Sequence, residues 1–132
     1  MNVLLDTNAW IWAVESPERL PEKARELLDD RGKYPLGLSA ISPWEVAKKA
    51  SLGKLALSIP LEQWMSRALD AGLISVLPLT PEIAVESCRL PGEIHRDPAD
   101  QIIVATARVH NLLLVTGDRR LRQYAFVRSV WD

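Results

Sequence analysis

The sequence has little of several features that would identify a protein class at once. It contains one cysteine and two histidines among 132 residues, so an internal disulfide is excluded and a zinc site built from cysteine and histidine has no ligand set. The formal charge is −1 at pH 7, so no overall positive field indicates a nucleic acid or a membrane surface as partner; a polyanion must be bound by a local patch. No stretch approaches the ~20 apolar residues of a membrane span.

The N-terminus, MNVLLDTNAW, has neither the basic segment nor the apolar run of a secretory signal. We therefore expect a soluble, cytoplasmic protein. The length is that of one ordinary domain, which predicts a single domain over residues 1–132. The lone cysteine, Cys88, falls in a stretch of helical character, where we expect it to be buried as a small apolar side chain.

What the sequence does contain is a regular alternation of short apolar runs with longer segments of helical spacing. This alternation predicts an α/β fold with a parallel sheet of about five strands, covered on both faces. The predicted strands are Val3–Leu5, Leu36–Ala40, Leu73–Leu77, Leu112–Val115 and Val127–Val130. The predicted helices are Asn8–Val14, Pro21–Asp30, Pro43–Leu52, Leu61–Ala71, Pro81–Arg89 and Pro98–Val109, with a further helical turn over Asp118–Tyr124.

Proline marks the predicted helix starts, in SPE, LPE, SPWE, IPLE, TPE and DPAD. The first helical turn tolerates proline because an N–H there lacks an intrahelical partner in any case. SPWE (42–45) and DPAD (97–100) also place a capping residue before the proline and an acid two residues after it, which is the arrangement of a capping box. Capping alone would therefore explain Glu45 and Asp100.

Five acids fall where an open α/β sheet binds ligands, at the carboxyl ends of its strands. Asp6 and Asp118 directly follow apolar strands, and Glu45 lies in the helix after LGLSA. Asp97 and Asp100 open the helix that leads into the next strand. If these positions share one rim, the carboxylates repel each other unless a cation is present. Oxygen ligands suit Mg²⁺, or Mn²⁺, better than Zn²⁺.

Each of these residues also has a structural interpretation. Asp6 is equally well placed as a helix N-cap, and Asp118 as a turn residue. The two histidines, His95 and His110, lack the spacing of metal ligands. We expect His95 to be an exposed loop residue, with substrate contact as the minor alternative, and His110 to complete a helix end.

Four motifs taken in order resemble one known family. LLDTNAWIW, SAISPWEVAKKASLGKL, RDPADQIIVATA and LLLVTGDRRL together are similar to a PIN domain, and more narrowly to the VapC-type ribonuclease toxins of type II toxin–antitoxin pairs. The resemblance covers essentially the whole chain. It implies a Rossmann-like α/β/α sandwich, a Mg²⁺-dependent endoribonuclease activity, a VapB-type antitoxin that neutralises it, and a homodimer.

The resemblance also implies roles for particular residues. Asp6, Glu45, Asp100 and Asp118 match the family's acidic quartet. Asp6 and Asp100 match its direct metal ligands, and Asp118 completes the metal set; Asp118 and Glu45 act through water or by orienting the nucleophile. Thr7, Asn8 and Thr116 match polar positions that orient the ligands or the substrate, and Asp97 matches a frequent acid of the DPxD variant.

The segment RRLRQYAFVR (119–128) contains four arginines and no acid. Arginines pair with phosphates and aromatic rings stack on unpaired bases, so this segment is a candidate RNA contact, with Arg119 and Arg120 nearest to Asp118. The alternative is an exposed basic turn. Lys48, Lys49 and Lys54 are candidates for tracking the RNA from the other side.

Three of the five tryptophans, Trp10, Trp12 and Trp44, either fill the core or line a groove for a partner helix. Two other functions compete with a toxin ribonuclease. A haloacid-dehalogenase-type phosphatase would need an acid at position 8, where the chain has Asn8. A non-toxin PIN nuclease, or a non-catalytic PIN-like module that binds RNA or protein, remains as an alternative.

Overall fold

The computed structural model describes residues 2–29, 36–70 and 73–132. These residues form five strands: β1 (Val3–Leu5), β2 (Leu36–Ser39), β3 (Ile74–Leu77), β4 (Leu113–Val115) and β5 (Ser129–Val130). They also form seven α-helices: α1 (Thr7–Glu15), α2 (Glu22–Asp29), α3 (Ile41–Ser51), α4 (Leu61–Ala68), α5 (Pro81–Ser87), α6 (Pro98–His110) and α7 (Arg119–Gln123). A short 3₁₀ turn, Pro17–Arg19, follows α1.

The five strands make one sheet in the order β3-β2-β1-β4-β5, and every neighbouring pair is parallel. The predicted α/β class and the parallel sheet of about five strands are therefore confirmed. Because all strands run the same way, the loops that follow them leave the same edge of the sheet. The central strand β1 delivers Asp6 to the middle of that edge.

The alternation of side chains along β1 divides the interior into two cores. Val3 and Leu5 pack into a cluster with Trp10 and Trp64, on the face covered by α1, α2 and α4. Leu4 points the other way, into the cluster that includes Ile103 of α6. Helices on both faces of one sheet make the predicted α/β/α sandwich.

Most predicted elements differ from the observed ones only at their ends. The last strand is shorter than predicted, since β5 begins at Ser129 and not at Val127. The helix predicted over Leu61–Ala71 ends at Ala68, and the last residue of that prediction lies outside the described residues. Asp30, predicted as the last residue of α2, also lies outside them.

The start of α3 differs from the capping-box prediction for SPWE. The helix begins at Ile41, and its N-cap residue Ala40 makes no side-chain capping hydrogen bond. Instead the backbone N–H of Ile41 donates to Ser39 Oγ at 3.2 Å. Ser42 is fully buried and bonds to a side chain of α1, so the capping interpretation of Ser42 and Glu45 is wrong. Pro43 fits within the first turn because its missing N–H would have had no partner there.

The start of α6 agrees with the prediction for DPAD. Asp97 is the N-cap, and its Oδ1 accepts hydrogen bonds from the backbone N–H groups of Ala99 at 2.9 Å and Asp100 at 3.3 Å. Pro98 is the first helical residue. Asp97 therefore fixes the helix start, and the helix start fixes the direction of Asp100.

Cys88 is exposed, so the prediction that it is buried was wrong. Helix α5 ends at Ser87, Cys88 is its C-cap residue, and the buried residue of this helix is Ile83. Of the three tryptophans that could fill the core or line a groove, Trp10 is buried in the core, Trp12 is half-buried, and Trp44 has 58% of its surface exposed.

Within the described residues no helix is long and apolar enough to cross a membrane.

Truncation of Trp10 should show how much the first core contributes to stability. Trp10 is 1% exposed, its indole N–H donates to the carbonyl of Ala68 at 3.1 Å, and its ring meets Trp64 edge-on at 4.9 Å. We expect Trp10→Ala to lower the free energy of unfolding by about 3–5 kcal/mol, measured by urea denaturation. The exposed Trp44→Ala is the matched control, with an expected change within about 0.5 kcal/mol. Equal effects of the two changes would contradict this packing.

Candidate active site

A small polar cavity of about 160 Å³ lies at the carboxyl edge of the sheet. Its lining comes from the loop after β1 and the start of α1, from α3, from the start of α6, and from the loop after β4 and the start of α7. It is lined by Asp6, Thr7, Asn8, Glu45, Lys49, Asp97, Asp100, Asp118 and Arg120. The structure therefore brings together all five acids that the sequence predicted to share one rim.

Asp6 is the most enclosed of these acids, with 4% of its surface exposed. It is the N-cap of α1, and its Oδ1 accepts from the backbone N–H of Ala9 at 2.8 Å. Its Oδ2 accepts from the hydroxyl of Thr116 at 2.5 Å, and the same hydroxyl oxygen accepts from the backbone N–H of Asp118 at 3.0 Å. Thr116 is thus the bridge between the acid after β1 and the acid after β4.

Glu45 is held by the first residue of α1. Thr7 donates its hydroxyl proton to Glu45 Oε1 at 2.5 Å, and Thr7 Oγ1 lies 2.8 Å from Ser42 Oγ. Since the one proton of Thr7 goes to Glu45, Ser42 must be the donor in the second contact. Lys49, one turn further along α3, lines the same cavity and favours the charged form of Glu45.

Asp100 makes a contact that the sequence did not predict. His95, in the loop before α6, lies with its Nε2 2.6 Å from Asp100 Oδ2, and the two side chains are only 14% and 17% exposed. The expectation that His95 is an exposed loop residue was therefore wrong. The loop folds back over the first turn of α6 because the side-chain amide of Gln101 donates to the carbonyl of His95 at 3.1 Å.

Asp118 is the most open of the quartet and has a cation beside it. It is the N-cap of α7, where its Oδ1 accepts from the backbone N–H of Arg120 at 2.8 Å. The guanidinium of Arg120 lies 3.2 Å from Asp118 Oδ2 and also lines the cavity. Arg119 points elsewhere, into a neighbouring groove that Lys23 also lines.

The basic segment is only partly available to a substrate. Tyr124 is 6% exposed and donates its hydroxyl proton to the carbonyl of Pro91, so its ring belongs to the core. Arg122 pairs with Asp132, and Arg128 donates to the carbonyl and side chain of Asn111. Of the four arginines of this segment, Arg120 lines the acidic cavity and Arg119 lines the neighbouring groove.

Burial and mutual repulsion make the site unfavourable for ionised acids. Burial raises the pKa of Asp6 to about 6, against the lowering effect of the bonds from Thr116 and Ala9, and the charges of Asp100 and Asp118 raise it further. Burial also raises the pKa of Glu45 and of Asp100 above their ordinary values. Burial acts on Asp118 in the same direction, but the bonds from Arg120 outweigh it and hold its pKa below the ordinary range.

This donor set fits a hard divalent cation. The cavity offers carboxylate oxygens from five positions, and a cation would offset the burial and the repulsion that together raise the pKa of Asp6. Ligand atoms of His95, Asp100 and Asp118 lie within 4.8 Å of one another. Mg²⁺ and Mn²⁺ both accept such oxygen-rich sites.

The match to known proteins agrees with this geometry. A profile of the PIN domain matches residues 3–127. The chain belongs to the PIN domain family. The resemblance seen in the four sequence motifs is therefore confirmed, and the PIN domain described here has its acidic cavity at the carboxyl edge of its sheet.

Individual relatives extend the similarity over nearly the whole PIN domain. The chain is 34% identical to ribonuclease VapC22 of Mycobacterium tuberculosis over 97% of this chain and 95% of the relative. Its fold is similar to that of VapBC2 from Rickettsia felis bound to a promoter DNA fragment, with a TM-score of 0.72, 21% identity and full coverage of both chains. The FitAcB structure from Neisseria gonorrhoeae gives a TM-score of 0.64 with 26% identity, over 96% of this chain and 95% of that one.

Two site residues escaped the sequence interpretation in different ways. Lys49 was a candidate for tracking the RNA, and its place in the lining of the acidic cavity was not predicted. His95 lacks the spacing of a metal ligand and was expected to be an exposed loop residue, with substrate contact as the minor alternative, although it stands five residues before Asp100. The loop before α6 folds back over the first turn of that helix and so brings His95 next to Asp100. The periodicity of apolar residues does not predict how a loop folds.

The stability of the metal-free PIN domain should depend on pH through Asp6. A carboxyl group whose folded pKa is raised from 3.8 to about 6 stabilises the fold fully below its unfolded pKa, and this contribution is lost as the pH rises through about 6. In EDTA we expect the free energy of unfolding to fall by about 3 kcal/mol between pH 3.5 and pH 7 from this group.

Asp6→Asn tests this prediction. Asp29→Asn, which removes an exposed carboxylate on α2, is the matched control. Urea unfolding at intervals of pH should show a much flatter profile for Asp6→Asn than for the wild type, while Asp29→Asn keeps the wild-type slope. A wild-type slope in Asp6→Asn would rule out Asp6 as its source.

Proposed function

We propose that this PIN domain is a Mg²⁺-dependent endoribonuclease and the toxin of a type II toxin–antitoxin pair. The observation that carries the proposal is the convergence of Asp6, Glu45, Asp100 and Asp118 on one cavity, in a chain 34% identical to a ribonuclease of the VapC group. Four acids from separate elements are more than helix capping requires. Mn²⁺ is the alternative ion.

The acids of the cavity have different roles in the proposed reaction. Asp6 and Asp100 would hold the ion, with Asp118 completing the set. A bound divalent ion supplies a water of lowered pKa and neutralises charge on the phosphoryl oxygens. Glu45, whose Oε1 accepts from Thr7, keeps Oε2 to accept a proton from the attacking water and to orient it, and its raised pKa makes it a stronger base.

The surrounding residues support the acids and the substrate. Thr116 and Thr7 hold Asp6 and Glu45 through their hydroxyl groups. Asn8 lies in the cavity beside them and is placed to bind a phosphate or a sugar hydroxyl. Asp97 acts mainly as the N-cap that directs Asp100.

The RNA backbone needs positive charge, which the acids do not supply. Arg120 lines the acidic cavity and also a neighbouring cavity of about 400 Å³. Arg119 faces the groove on the other side, and Lys49 lies within the acidic cavity. We propose that the RNA phosphates follow these three cations, which explains how a chain of net charge −1 binds a polyanion.

The proposed partners follow from the relatives. The chain shares its fold with VapBC2 of Rickettsia felis and is 34% identical to ribonuclease VapC22, and we propose that a VapB-type antitoxin binds the present chain and blocks its rim. We also propose a homodimer of single-domain chains, located in the cytoplasm. Trp44, exposed beside Glu45, is available to either protein partner.

Loss of the acids should abolish RNA cleavage. We expect Asp6→Asn and Asp100→Asn to reduce Mg²⁺-dependent cleavage of single-stranded RNA by more than about 100-fold, since loss even of groups that support metal ligands costs 10–100-fold. Asp97→Ser keeps a capping hydroxyl and should lose far less. Activity would be measured as initial rates with and without EDTA, with circular dichroism as the check on folding. If wild type and Asp6→Asn both bind RNA and both leave it intact, the protein is a non-catalytic PIN module.

Expression of the chain without an antitoxin should stop bacterial growth. The physical reason is uncontrolled hydrolysis of cellular RNA, so Asp6→Asn expressed to the same level should be harmless. Growth curves after induction give the measurement, and mapping of new 5′ ends in total RNA identifies the RNA that is cut. Normal growth with well-folded wild-type protein at high level would contradict the toxin assignment.

A further inference from the structure

His95 is a polar neighbour of the acidic cavity that has no role in the proposed chemistry. Its Nε2 lies 2.6 Å from Asp100 Oδ2, and both side chains are more than four-fifths buried. Such a contact between two largely enclosed groups is strong, because little water competes for it. It therefore constrains where the Asp100 carboxylate points.

The loop that carries His95 is anchored on both sides of the histidine. Ile94 packs against the core cluster that contains Leu4 and Ile103. The carbonyl of His95 accepts from the side chain of Gln101, one residue beyond Asp100 on α6. The imidazole and the carboxylate are consequently held to the same helical turn, and their separation does not depend on a free loop.

The other ring nitrogen indicates which tautomer is present. Nδ1 is buried and has no hydrogen-bond partner among the residues that the structure describes. A proton on Nδ1 would be a buried donor without an acceptor, which is unfavourable. The ring proton therefore belongs on Nε2, which donates it to Asp100 Oδ2.

We propose that His95 is a positioning residue: it occupies one oxygen of Asp100 and so leaves the other oxygen directed at the divalent cation. The proposal rests on the metal-dependent function proposed above. His95 acts through Asp100 and is not itself a ligand, since ligation by Nε2 would move the proton to the partnerless Nδ1. Histidines that ligate metals are often oriented by carboxylates, and here the carboxylate is the ligand that the histidine orients.

A pair of substitutions of His95 tests the donor position. Gln has its amide nitrogen the same number of bonds from Cα as Nε2 of His, so His95→Gln keeps a donor for Asp100. His95→Asn has its amide at the Nδ1 position and does not reach. We expect the dissociation constant of Mn²⁺ to rise about 10–100-fold in His95→Asn and to stay within about threefold of wild type in His95→Gln.

The measurement is Mn²⁺ binding, from the electron paramagnetic resonance signal of free Mn²⁺, without RNA. His95→Ala serves as a second truncation in case His95→Asn does not fold, as judged by circular dichroism. Equal Mn²⁺ affinity in the wild type and a folded truncation would overturn the proposal, as would weakening in Gln equal to that in Asn.

Electron spin echo measurements on the Mn²⁺-loaded wild type add a sharper criterion. We expect the Mn²⁺ signal of the wild type to show no coupling to a histidine nitrogen. A coupling that is present in the wild type and absent in His95→Gln would mean that His95 is a metal ligand, and would overturn the positioning role. The failure of the proposed function can be distinguished from the failure of this inference. If the wild type binds no Mn²⁺, both the metal site and this inference are wrong. If the wild type binds Mn²⁺ and cleaves RNA, but substitution of His95 has no effect on Mn²⁺ binding, this inference alone is wrong.

Discussion

The constraint on which the site depends is the burial and mutual repulsion of carboxylates that a parallel sheet gathers at one edge. Each acid of the quartet is stabilised by a donor of its own: Thr116 for Asp6, Thr7 for Glu45, His95 for Asp100 and Arg120 for Asp118. These donors do not cancel the cost, since burial still raises the pKa of three of the four acids. The fold therefore holds these acids in positions where their ionised forms are unfavourable, and a bound divalent cation would stabilise the ionised forms.

Helix capping and the acidic site use the same residues. Asp6, Asp97 and Asp118 are all N-caps, and each accepts backbone N–H groups of the helix that it starts. A cap is rigid because the backbone fixes it, so a carboxylate in this position is already oriented before any ligand binds. The structural and the functional interpretations of these acids are thus compatible. The positive end of each helix also favours the ionised form that a metal requires.

Two of the four donors come from elements far apart in sequence, which ties the site to the fold as a whole. Thr116 reaches Asp6 across 110 positions of the chain, and Thr7 reaches Glu45 across 38. The two contacts join the residue after β4 to the residue after β1, and the start of α1 to α3. A change in the packing of either core would shift these donors, since β1 contributes side chains to both cores.

The sequence by itself determined the α/β class, the strands, the helix start at Asp97 and the acids of the rim. Apolar periodicity and proline at helix starts report local structure, and the acids that follow parallel strands must share an edge. Only the tertiary structure decided that Ser42 bonds to Thr7 instead of capping α3, that Cys88 is exposed, that Tyr124 belongs to the core and that His95 meets Asp100. The physical reason is that these four outcomes depend on where a loop turns or a helix begins and ends against its neighbours, and such long-range packing leaves no periodic trace in the sequence.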